Sequence, residues 1–134
     1  MHTELYIGGA WHKGHGERFA SYDPATGDKV WEGNAASEDD VAEAMAAARL
    51  AFPAWSRRAP EERVAIARAY AKEIEKRGEE IARTISREMG KVTWDAKGEV
   101  AAMIGKVEIS IRAQAERAGA REEKAAFGAM TLSH

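Results

Sequence analysis

Glu99-Val100-Ala101-Ala102-Met103-Ile104-Gly105-Lys106-Val107-Glu108-Ile109-Ser110-Ile111 is the stretch whose periodicity decides the architecture of this chain. Val100, Met103, Ile104, Val107, Ile111 and Ala115 recur at steps of three and four. That spacing lays one apolar stripe along a 3.6-residue helix. Ala102 and Ile109 widen the stripe beyond the needs of a lone surface helix, so packing on more than one side is expected. The helix should begin soon after Glu88-Met89-Gly90-Lys91 and run to about Arg117. The stripe itself reads as core and brings no chemistry of its own.

Upstream, three more helices are expected. Ser37 can cap the first, with Glu38, Asp39 and Asp40 at the positive end of its dipole. Val41, Ala44, Met45, Ala48 and Phe52 make its apolar stripe, and Pro53 should stop it near Phe52. Pro60 suits the first position of the second helix, with Glu61 and Glu62 in the opening turn. Ile66, Tyr70 and Ile74 should face inward there, and Gly78 marks the break. A shorter helix with Ile81, Ile85 and Met89 ends at Gly90. Glu73 to Arg77 and Glu79 to Arg83 have the order of stabilising i, i+4 pairs.

Before Ser37 the chain reads as strands. Leu5-Tyr6-Ile7 and Ala10-Trp11-His12 flank Gly8-Gly9, the pattern of a two-residue hairpin. Arg18 to Tyr22 and Lys29 to Glu32 flank the turn Asp23-Pro24-Ala25-Thr26-Gly27-Asp28. Beyond Gly119, residues 120–126 lack an apolar stripe and are expected to form a solvated loop. Met130 to His134 alternates as a strand would. The fold class is mostly α with N-terminal antiparallel β-hairpins: hairpins over 1–36, a helical layer over 37–118, then a loop and the start of a strand over 119–134.

A chain of 134 residues with 45% hydrophobic and 31% charged residues is a globular domain with a modest core. Twenty basic residues nearly balance 22 acidic ones, which excludes a global field for nucleic acid or an anionic membrane. Cysteine is absent, and with it any disulfide, thiolate metal site or thiol nucleophile. The start, Met-His-Thr-Glu-Leu-Tyr-Ile, lacks the layout of a signal peptide, so the expected compartment is the cytoplasm.

Candidate sites are few. His2, His12, His15 and His134 share no helical spacing, and they read as exposed loop histidines in preference to metal ligands. Gly8-Gly9 and Gly14-His15-Gly16 do not lead from a strand into a helix, as a phosphate cradle would. No serine has a histidine and acid that sequence can pair with it. Arg57, Arg58, Arg63, Arg68 and Lys72 alternate with Glu61, Glu62 and Glu73, so they offer nucleic acid no clean positive face.

Five landmarks in register nonetheless resemble one family. They are Asp23-Pro24-Ala25-Thr26-Gly27, the capped helix from Ser37, Ala51-Phe52-Pro53-Ala54-Trp55, Pro60-Glu61-Glu62-Arg63 and Arg87-Glu88-Met89-Gly90-Lys91. Together they are similar to the N-terminus of an NAD(P)-dependent aldehyde dehydrogenase, over about residues 4–134. Val30-Trp31-Glu32-Gly33-Asn34 and the segment 99–111 are most similar to the succinylglutamate-semialdehyde type, which serves arginine catabolism. Met89 departs from the family's Thr, Val92 from its Pro, and Gly105 from the Asn of the closest type. Gly105 within a helix costs about 1 kcal/mol relative to Ala unless a neighbour needs close approach.

The resemblance implies a parent enzyme that oxidises an aldehyde to a carboxylate with NAD or NADP, and that is a homo-oligomer when intact. It also implies that the oxyanion-hole asparagine, the cofactor sheet, the glutamate base and the cysteine nucleophile lie outside these residues. No catalytic, cofactor-binding or metal residue is therefore expected here. The chain would be the N-terminal portion of the cofactor-binding domain, a scaffold whose partner is the remainder of the enzyme, with neither nucleic acid nor membrane. Met103, Ile104, Val107 and Ile111 would then lack part of their cover and leave an apolar patch prone to self-association. The rival from another class is a stand-alone helical protein-interaction module without activity.

Overall fold

The computed structural model describes residues 4–118, 121–125 and 128–132. Strands β1 (Leu5–Ile7) and β2 (Ala10–His12) form the first antiparallel hairpin, pairing Leu5 with His12 and Ile7 with Ala10. Gly8 and Gly9 turn it with φ of 61° and 91°, the mirror-image turn that matches strand twist. Strands β3 (Arg18–Tyr22) and β4 (Lys29–Asn34) form the second, with a register irregularity between Ser21 and Tyr22. Phe19 and Trp31 meet edge-to-face across it, their ring centroids 5.0 Å apart.

Four helices follow: α1 (Glu38–Ser56), α2 (Pro60–Lys76), α3 (Gly78–Met89) and α4 (Thr93–Arg117). Pro60 is at the start of α2, Gly90 caps α3 in the left-handed conformation, and α4 runs unbroken through the segment that opened the sequence reading. Helix α4 packs on both α2 and α3. Ile74, Ala82, Ala96 and Val100 are the buried core, with Ile81, Ile85 and Ile104 packed against them.

Four expectations need correcting. Pro53 does not stop α1, which continues to Ser56. A proline this near the end forfeits only the bond to the Arg49 carbonyl, and Arg49 is exposed, so water can take its place. Val41, Met45 and Phe52 of α1, and Ile66 and Tyr70 of α2, stand exposed where buried stripes were expected. Helix α1 packs mainly on β1, which covers too little of it. The i, i+4 pairs also take other partners. Glu73 bonds Lys76 at 2.6 Å, Arg77 bonds Glu80 at 2.9 Å, and Glu79 reaches Lys97 of α4 at 2.7 Å.

The fourth correction falls at the C-terminal end. Residues expected in a loop form strand β5 (Arg121–Ala125), antiparallel to β6 (Gly128–Leu132). Backbone pairing with a strand-prone partner imposes the extended form on a polar segment that has no stripe of its own. His2 and His134, two of the four histidines weighed above, lie outside the described residues. No helix among the described residues is long and apolar enough to cross a membrane.

Candidate functional site

Two of the landmarks, far apart in sequence, touch. The Asp23–Asp28 turn is closed by Asp23 Oδ1 accepting from the Ala25 N–H at 2.9 Å and by the Gly27 N–H on the Asp23 carbonyl at 2.7 Å. Pro24 at its tip lies against Gly90, where a β-carbon would come within 2.6 Å of Pro24 Cγ. Gly90 also has φ of 65°, so glycine is required there on two counts. The Ser86 hydroxyl donates to the Lys91 carbonyl at 2.6 Å and ties down the next corner. Lys91 holds Asp95 at 2.7 Å and also pairs with Glu99, and these carboxylates raise its pKa. The Trp31 indole donates to Glu88, joining β4 to α3.

A second long-range joint closes the start of α1. Ser37 and Asp40 form a reciprocal capping box, with Ser37 Oγ accepting from the Asp40 N–H and Asp40 Oδ2 from the Ser37 N–H. Asp40 Oδ2 also accepts from the His15 N–H at 2.9 Å, and Oδ1 lies 2.7 Å from His15 Nδ1. Asp40 is 3% exposed. These donors, the His15 and Ser37 backbones first, hold its carboxyl far below the usual carboxylate range. The bond to Asp40 in turn raises the His15 pKa. His15 is thus a clamp residue, whereas its sequence context suggested only a loop histidine. The Ser-x-x-Asp cap was visible in sequence; its partner 25 residues upstream was not.

The basic residues of α2 form no common patch. Arg58 pairs with Glu62 at 3.8 Å, and Arg68 grips Glu108 of α4 through Nε at 2.7 Å and a second nitrogen at 3.1 Å. Arg63 instead lines an apolar groove between α2 and α4, where its Nε is buried without a hydrogen-bond partner among the described residues. Sequence reasoning missed this placement, because Arg63 followed two glutamates that promised pairing.

The chemistry available is limited. Among the described residues no group of three or more His, Asp or Glu converges as a metal site would. The pyrophosphate of a dinucleotide needs free N–H groups at a helix N-terminus. Here the first turns hold carboxylates instead: Glu38, Asp39 and Asp40 in α1, Glu61 and Glu62 in α2, Glu79 and Glu80 in α3, and Asp95 in α4. The described strands form three two-stranded antiparallel sheets, without the parallel crossover of a dinucleotide fold. These residues do not fit a nicotinamide cofactor, and no thiol exists to add to an aldehyde.

Comparison with known proteins gives this scaffold its context. Residues 11–133 match the model of the aldehyde dehydrogenase family. N-succinylglutamate 5-semialdehyde dehydrogenase of Paraburkholderia xenovorans (strain LB400) is 48% identical over 132 residues, covering 98% of this chain and 27% of its own length. N-succinylglutamate 5-semialdehyde dehydrogenase 2 of Caulobacter vibrioides is also 48% identical, over 100% of this chain and 28% of its own. The chain thus spans about a quarter of these relatives. The NADP-dependent glyceraldehyde-3-phosphate dehydrogenase of Bacillus halodurans, solved with NADP, superposes with a TM-score of 0.83 at 27% identity, over 95% of this chain and 27% of that one. An NAD-dependent benzaldehyde dehydrogenase from Corynebacterium glutamicum gives a TM-score of 0.81 at 27% identity, over 92% of this chain and 27% of its own. With its hairpins, its helical layer and both corner motifs accounted for in this way, the chain belongs to the aldehyde dehydrogenase family.

Proposed function

We propose that this chain is the N-terminal scaffold of an enzyme that oxidises N-succinylglutamate semialdehyde to the corresponding carboxylate with NAD or NADP. The single observation that supports it is 48% identity to two such dehydrogenases across essentially the whole chain. On this reading residues 1–134 are the N-terminal portion of the cofactor-binding domain, in a cytoplasmic homo-oligomer of arginine catabolism. They contribute no catalytic, cofactor-binding or metal residue. The parent's chemistry needs a thiolate to add to the aldehyde carbon before hydride departs to the nicotinamide. Residues outside this chain supply that thiolate and the cofactor site. What these residues do is hold the corner at Gly90, the α1 clamp and the α2–α4 layer in place. The stand-alone interaction module has no observation in its favour.

The test joins residues 1–134 to the remaining polypeptide of the Paraburkholderia xenovorans relative. The chimera should reduce NAD or NADP with N-succinylglutamate semialdehyde in preference to benzaldehyde or glyceraldehyde 3-phosphate. The 134-residue chain alone should give no reduced nicotinamide above the buffer rate. Turnover that follows the isolated chain through purification would refute its role as scaffold only.

A further inference from the structure

Helices α2 and α4 leave between them a groove that is apolar along its length. Trp55, Val64, Tyr70, Met103, Val107 and Ile111 line it. Trp55, Tyr70 and Met103 are exposed there. Arg63 stands in the same lining with its Nε buried and unpaired among the described residues. A guanidinium is charged at every accessible pH, and a buried donor normally has an acceptor. The groove therefore lacks both an apolar cover and one oxygen.

The size of the missing cover identifies its source. A closed monomer of 14.6 kDa exposes about 6,900 Å². This chain exposes 10417 Å², an excess of about 3,500 Å². Even large obligate dimer interfaces take only about 1,000–2,500 Å² from each partner. A second copy of the chain is too small a cover for that excess, whereas the relatives have almost three-quarters of their length outside the matched part. We propose that the α2–α4 groove seats a downstream segment of the parent polypeptide, an apolar element that brings one acceptor oxygen to Arg63 Nε. The proposal rests on the parent-enzyme reading.

Hydroxyl-radical footprinting compares the isolated chain with the chimera described above, reading oxidation of Met103 and Tyr70 by mass spectrometry. Both should oxidise about tenfold more slowly in the chimera. Arg63→Met keeps the apolar stem and removes the donor; it should accelerate Met103 oxidation in the chimera and leave the isolated chain unchanged. If the chimera oxidises its aldehyde while Met103 stays as reactive as in the isolated chain, the groove proposal falls and the parent reading stands. If Met103 is protected but no aldehyde is oxidised, the groove assignment holds and the activity falls. Protection that appears in the isolated chain as its concentration rises, and matches the chimera, makes a second copy the occupant and overturns the proposal. A further measurement needs no chimera. The dilute isolated chain should bind a hydrophobic dye, and Val107→Asp should remove most of that signal. A dye-silent chain with slowly oxidised Met103 closes its own groove, which also overturns the proposal.

Discussion

Replacing Gly90 with alanine tests the corner on which two of the family landmarks meet. Two penalties add. The left-handed conformation costs a residue with a β-carbon about 1–2 kcal/mol, and Gly90 has φ of 65°. The new β-carbon would also lie 2.6 Å from Pro24 Cγ, so the Asp23–Asp28 turn must shift. Such overpacking costs about 1–3 kcal/mol. The expected loss is about 3 kcal/mol, a large share of the 5–15 kcal/mol that typically holds a domain together. Gly27 provides the control, because its φ is 79° but nothing lies within 4 Å of its β-position. Gly27→Ala should therefore show the conformational cost alone. Pro24→Ala removes the clashing atom, so the double variant with Gly90→Ala should be less destabilised than the two single changes summed, by about 1 kcal/mol. Urea unfolding of dilute protein, followed by far-UV circular dichroism, reads all four variants. Equal losses for Gly90→Ala and Gly27→Ala, or strict additivity of the double variant, would refute the contact.

Three further outcomes follow from other joints. The Asp40 pKa is lowered on folding, so its contribution is present above the ordinary carboxylate value of about 4 and is lost as pH falls through the folded value; the His15 pKa is raised, so its contribution is present below about 6.5 and is lost as pH rises through the folded value. Stability should peak between those limits, Asp40→Asn should flatten the profile measured by urea unfolding across pH, and Ser37→Ala should cost about 1 kcal/mol at every pH. Ile74→Ala removes a side chain 6% exposed at the centre of a four-residue core and should cost about 2–5 kcal/mol, separating α2 from α4 in hydrogen exchange. Gly105 has nothing within 4 Å of its β-position, so Gly105→Ala should stabilise the isolated chain by up to about 1 kcal/mol. Loss of that gain in the chimera would show that the covering segment approaches the α4 backbone there.

The sequence by itself determined what is local. A stripe at steps of three and four, Ser37 before three acids, Pro60, Gly90 and the Gly8-Gly9 pair act within a turn or two of chain, and each of them is where its helix or hairpin begins, bends or ends. The family landmarks were legible for the same reason. Tertiary structure alone decided which distant groups meet: His15 with Asp40, Pro24 with Gly90, Trp31 with Glu88, Arg68 with Glu108. It also decided which apolar stripes are covered. Periodicity says that a face wants burial, but Met45, Phe52 and Tyr70 remain exposed because burial needs a second surface at the right distance. Arg63 shows the limit most plainly. Its neighbours Glu61 and Glu62 promised an ion pair, and the packing of α2 on α4 instead left its Nε in an apolar groove, where only an incoming acceptor can satisfy it.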